Sequence, residues 1–290
     1  MKNKPLIVVV ALTAVLAGTW ARAEKSTLAI GPVKTSPSLV ESVKKDGRTD
    51  QMGQVVEALD GQLIDRINAT RKFELVSRSD LKELHVEMAY ANSEQLKEAG
   101  VKYLLVTSMD GFKDYGEASV IGETGQSATI RVLSVSIVAK IYDVTTTKLL
   151  ESANFQVRKE QRLLSLKRGN ENSALSDELL VGVAREMADK VANRVADVIF
   201  PAKIISKIDK QVTINRGDGT GIAVDQIWNV YAPGKELKDP DTGEILGVQE
   251  VLVGKLKVTS VLPKVSTADI LGEDTGIAEG AIVRAPQSPH

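Results

Sequence analysis

Apolar and polar positions change rhythm several times along this chain. Residues 6–18 form an unbroken apolar and small-residue run behind Lys2 and Lys4. Residues 27–33 then read as a short apolar strand that ends at Gly31 and Pro32, with a polar loop expected as far as Thr49. Asp50 is the expected N-cap of a helix in which Val55, Val56, Leu59, Leu63, Ile64 and Ile67 recur at helical spacing and give one sheet-facing stripe. A second strand is predicted at 73–76. The cap signal Ser77, Arg78, Ser79, Asp80 follows it and leads a short helix with Leu81, Leu84 and Met88 inward. Residues 93–99 add a helical turn that stops at Gly100.

Residues 101–109 form a third strand whose apolar run from Tyr103 to Val106 suits burial on both faces. After a loop, residues 129–143 and 149–158 read as two strands joined by the turn 143–148, a connection short enough for a hairpin. Ser176 is the expected cap of a long helix. Asp177 and Glu178 suit its positive end, Leu179, Val183, Met187, Val191, Val195 and Val198 make its stripe, and Pro201 ends it. These segments predict an α/β sandwich with a mixed sheet, order βαβαββα, over residues 24–201. Beyond Lys203 the helical period disappears. Residues 204–208, 211–215, 227–231, 245–256 and 257–262 read as short strands broken by glycines, which predicts a small all-β domain over 202–290, a partly closed barrel.

The first segment places the chain in the cell. The positive start, the apolar run and the small residues Ala21 and Ala23 have the form of a secretory signal peptide over residues 1–23, with cleavage between Ala23 and Glu24. An uncleaved anchor is the alternative, but the run falls short of the roughly 20 residues that cross a bilayer. The chain has no cysteine, so neither a lipid-modified cysteine nor a disulfide is available. Removing Lys2, Lys4 and Arg22 from 37 basic residues leaves 34 against 38 acidic ones, a net charge of −4. That balance and an aromatic content of 4% argue against nucleic-acid binding.

Chemistry-bearing patterns are sparse. The histidines are His85, inside the short predicted helix, and His290 at the end, which disfavours a metal cluster or a histidine-based nucleophile. Gly217, Asp218, Gly219, Thr220 and Gly221 resemble a phosphate loop in spacing, yet a strand follows them and Asp218 would repel the ligand, so a tight turn is expected. The carboxylates of Asp239, Asp241 and Glu244 lie close together, but Pro240 interrupts calcium-loop spacing and a hairpin turn fits better. Trp228 is expected in the β core. No catalytic, cofactor-binding or metal-binding residues are assigned, and no cofactor is expected.

Residues 71–81, running Arg71, Lys72, Phe73, Glu74, Leu75, Val76, Ser77, Arg78, Ser79, Asp80 and Leu81, together with residues 99–112, resemble the core signature of the CsgG family, which includes curli secretion channel subunits. Residues 212–231, with Asn215, Arg216, the glycines and Trp228, resemble the C-terminal SH3-like domain of FlgT-like flagellar proteins. Curli subunits are lipoproteins whose two insertions form membrane-spanning hairpins. Here the corresponding segments, 113–128 and 159–176, lack a lipid-facing apolar alternation, so membrane association is expected to be peripheral at most. FlgT-like proteins are exported without lipid, but carry a further N-terminal domain that has no counterpart in this reading. The resemblances imply a non-enzymatic structural or assembly protein, periplasmic or outer-membrane-associated, of curli or flagellar basal-body type. It would act with protein partners and as a homo-oligomer. The alternative is a regulatory module resembling periplasmic activators of cell-wall synthases.

Overall fold

The first core grows on a mixed sheet. In this computed structural model, which describes residues 25–76, 93–121, 126–163 and 174–285, β1 (Ser26–Ile30), β2 (Lys34–Thr35), α1 (Pro37–Lys45), α2 (Thr49–Ala69) and β3 (Phe73–Val76) come first. They are followed by α3 (Ser93–Glu98), β4 (Tyr103–Ile121), β5 (Gln126–Asp143), β6 (Lys148–Leu163) and α4 (Ala174–Ile199). The strand order is β3-β1-β4-β5-β6, with β2 beside β4. β1 lies parallel to β3 and β4, whereas β4, β5 and β6 run antiparallel.

The helical periodicity places α2 and α4 on one face. Met52, Val55, Leu59, Leu63 and Ile67 of α2 and Leu179, Val183, Met187, Val191 and Val195 of α4 are buried against Leu105, Met109, Leu133, Val135, Ile137 and Ile141 of the sheet. Each such side chain contributes about 1.5–3 kcal/mol of transfer free energy. Of the predicted stripe on α2, Ile64 is left exposed at its margin.

Several expectations are corrected here. The polar loop before Thr49 contains α1: Ser36 caps it by accepting from the Leu39 N–H at 3.2 Å, Pro37 opens it, and Val43 anchors it in the core. Asp50 lies in the first turn of α2 rather than at its cap, and Ser176 lies inside α4. The order βαβαββα leaves out one of the three strands read between the helical turn at 93–99 and the long helix, and the structure adds β2 and α1 to it. The expected loop 113–128 belongs largely to the β4–β5 hairpin, whose ladder continues to the pair Ile121–Gln126, and β6 runs on to Leu163. Alternating polar and small residues read as a loop by composition, yet they satisfy the period-2 face pattern of a strand once neighbours supply the ladder. The predicted helix around Leu81, its Ser77 to Asp80 cap and His85 lie outside the described residues, as do His290 and the Ala23–Glu24 junction.

The second core is all β. Strands β7 (Ile204–Ile208), β8 (Gln211–Ile214), β9 (Ile227–Lys238), β10 (Ile245–Val261), β11 (Ser266–Leu271) and β12 (Ile282–Arg284) form one sheet in the order β12-β9-β10-β11-β8-β7. The ladder does not close continuously, although a single bridge pairs Lys203 with Ile282 and brings the two margins together. Trp228 and Val230 meet Val212, Ile214, Leu256, Val258 and Ala268 inside it. The predicted strands 245–256 and 257–262 are one strand, and β11 and β12 add to the predicted set. At Gly254 a Cβ would come within 2.6 Å of Ile277 Cδ1, so this glycine marks a close side-chain approach inside β10 rather than a break.

Candidate functional site

The glycine-spaced segment after β8 joins the two cores. Gly219 adopts φ +78°, and a Cβ there would lie 2.5 Å from the Ala69 carbonyl oxygen at the end of α2. Gly221, also at φ +78°, faces the Asn193 side chain of α4. The absent side chains therefore let the β domain seat directly on two helices. The expected tight turn is present, and its glycines serve this contact. Arg216 is fully buried beside it. Its Nη2 donates to Phe200 O at 2.9 Å and pairs with Asp197, whose carboxylate stays half exposed, while Nε and Nη1 have no partner among the described residues. Burial lowers the Arg216 guanidinium from its ordinary value, and Asp197 opposes that shift. Lys72 donates to Asn215 O at 2.6 Å. Its ammonium is also lowered, by burial first and then by the Arg216 charge. This cluster holds the α4 C-terminus, where a cation meets free carbonyls.

A second feature is the antiparallel blade β4–β5–β6. One face is covered by α4; the other presents Asp110, Lys113, Tyr115, Ser134, Ser136, Asn154, Gln156 and Arg158. Polar groups on that face bond to one another across strands: Ser136 Oγ donates to Asp110 Oδ1 at 2.5 Å, and Asn154 Nδ2 to Asp110 Oδ2 at 3.2 Å. Toward the far end, the Arg131 Nε donates to the buried Asp114 at 2.7 Å, locking β5 to β4. β6 has one strand partner, β5, and no described strand pairs with its outer side. Such an edge offers a row of free N–H and C=O groups.

The remaining sequence candidates resolve into structure. Asp239 makes the β9–β10 turn, its Oδ1 accepting from the Asp241 and Thr242 N–H groups, with Gly243 at φ +70°. Trp228 is buried and donates from Nε1 to Gln226 Oε1 at 3.0 Å. A hollow of about 470 Å³ at the start of β1 is lined by Lys25, Thr27, Lys97, Lys102 and Thr145, and no periodicity argument points to it. Among the described residues, no group of three His, Cys, Asp or Glu side chains is arranged to hold a metal ion, and no helix is long and apolar enough to cross a membrane.

No family model and no curated protein matches the chain. Among solved structures, it is similar to the hypothetical protein CT253 from Chlamydia trachomatis, at 10% identity and a TM-score of 0.37, over 61% of this chain and 99% of that one. A minor lipoprotein from Acinetobacter baumannii aligns at 10% identity and a TM-score of 0.33, over 59% and 92%. TolB from Acinetobacter baumannii aligns at 13% identity and a TM-score of 0.29, over 88% and 62%. With identities and scores this low, none of these likenesses bears on function.

Proposed function

We propose that the chain is an exported, non-enzymatic assembly protein of a bacterial envelope, working in the periplasm or at the inner side of the outer membrane by binding other proteins. The blade carries this reading. A polar sheet face and a long strand edge that no described strand pairs with, stiffened by α4 and the Arg131–Asp114 pair, form a recognition surface built on regular elements. The leader-like start, the positions resembling the CsgG family and the FlgT-like, SH3-like pattern of the β domain support the compartment and the class of work. A barrel of SH3 type is the proposed relation of the second domain, supported by the meeting of its sheet margins at Lys203 and Ile282.

The test combines fractionation with cross-linking in the source cells. Mass spectrometry should find a mature chain beginning at Glu24 in the periplasmic or outer-membrane fraction. A photo-crosslinker at Gln156 should capture a discrete envelope protein or a second copy. A chain retained in the cytoplasm, or one that captures nothing at Gln156 and at Lys113, would overturn the reading.

A further inference from the structure

We propose that a second copy of this chain pairs with the outer edge of β6, antiparallel about a twofold axis at Phe155, so that Glu151 of each copy meets Lys159 of the other. The inference rests on the reading above that the blade is a protein-binding surface, and it names the occupant of its edge.

Three observations carry it. First, β6 is a long edge without a partner on its outer side among the described residues, whereas β3 at the opposite margin is four residues long and the margins of the second sheet meet at a bridge. Second, β6 contains no proline or glycine, its one register shift lies at Leu150, opposite Ile141 and Tyr142, and the charges that are its one blunting device flank an uncharged middle from Ser152 to Val157. The edge from Glu151 onward is therefore regular.

Third, that regular stretch is complementary to itself. A twofold axis at Phe155 sets Glu151 against Lys159, Ala153 against Val157 and Phe155 against its own copy on the α4 side, and Ser152 against Arg158 and Asn154 against Gln156 on the polar side. Centring the axis on Gln156 or Val157 instead puts neither Glu151 nor Glu160 opposite a cation. Centring it on Lys159 joins Arg158 to Glu160 but sets Lys159 against itself. Only the first of these registers offers opposite charge twice without a like pair inside the regular edge, because the bulge at Leu150 precedes the position where Lys148 would face Arg162. Within each copy Glu151 already pairs with Arg194 at 2.8 Å and Lys159 with Glu186 at 3.2 Å, both on α4. Dimerisation would link these into alternating rows, Arg194 and Glu151 of one copy meeting Lys159 and Glu186 of the other. Phe155, half-buried against the first core, would be covered at the axis. A twofold contact closes on itself, so the edge is consumed rather than propagated into a fibre.

Sedimentation equilibrium of the purified protein tests this. The natural chain should dimerise. E151K alone and K159E alone should each weaken association by roughly tenfold, since like charges directly opposite destabilise a strand pair and the twofold counts each contact twice. An equimolar mixture of the two variants should recover association, because the mixed pair restores opposite charge at both contacts. Circular dichroism establishes that each variant is folded. As the chain has no cysteine, F155C should give an oxidised, disulfide-linked dimer and Q161C should not. A protein that is monomeric throughout, or a mixture that associates no better than either variant alone, would overturn the inference. A monomer that still cross-links a different envelope protein at Gln156 would overturn the dimer and leave the functional reading standing.

Discussion

Replacing Gly219 by alanine separates two costs that usually arrive together. The residue sits at φ +78°, where a Cβ introduces left-handed strain of about 1–2 kcal/mol. Gly243, in the β9–β10 turn, has nearly the same backbone, φ +70°, but no neighbouring atom lies within 4 Å of where its Cβ would stand. Gly243→Ala should therefore cost only the strain. At Gly219 the methyl would stand 2.5 Å from Ala69 O and 2.8 Å from its carbonyl carbon, so reaching an ordinary contact of 3.4 Å requires a separation of about 0.9 Å between two backbones. Overpacking of that kind adds about 1–3 kcal/mol, and the total for Gly219→Ala is about 2–5 kcal/mol. Urea unfolding measures both. Trp228 lies buried in the second core, and the other tryptophan, Trp20, falls within the predicted leader, so fluorescence of the mature chain reports the β domain while far-ultraviolet circular dichroism reports both. Gly219→Ala should pull the fluorescence transition away from the dichroism transition by loosening the junction; Gly243→Ala should shift stability without splitting them. Equal losses within about 0.5 kcal/mol, with coincident transitions in both variants, would refute the idea that these glycines dock one domain on the other.

The Arg216–Asp197 pair is asymmetric: the cation is buried and the anion half exposed. Asp197→Asn should therefore cost more, about 1–3 kcal/mol after allowance for solvent screening, than Arg216→Met, which removes the buried charge and leaves a carboxylate that water can hold. A larger loss for Arg216→Met in urea unfolding would show that the cap on Phe200 O outweighs the charge. Asp274 titrates at about 2, below its ordinary value, because Lys207 and then the Ile277 and Gly276 N–H groups bond its carboxylate. A depressed carboxyl stabilises the fold above its unfolded value and loses that contribution as pH falls toward about 2. Lys207→Met should raise the Asp274 titration toward the ordinary range in a carboxyl-resolved NMR titration, and an unmoved value would show that the backbone donors alone set it.

Local periodicity determined much of this protein. The apolar stripes of α2 and α4, strand β3, the β5–β6 turn and the change to an all-β texture after Pro201 follow from spacing, because burial on one face requires it wherever the element packs. The export reading likewise needs only the order of charge, apolar run and small residues before Glu24. α1 also carries local signals, the Ser36 cap, Pro37 at its start and Leu39, Val40 and Val43 at helical spacing, but nine residues set among polar neighbours read as a loop. Other features have no local signal. The ladder that pairs residues 113–121 with 126–134 is invisible to composition, since its strand state depends on neighbouring strands. β11 and β12 exist for the same reason. The tertiary structure alone decided what the glycines after β8 do, that Arg216 is buried at the end of α4, and that β6 is the margin strand whose outer side has no partner among the described residues. Each depends on residues far apart in sequence, Gly219 with Ala69 and Arg216 with Phe200, and a distance between distant residues is fixed only when the two cores meet.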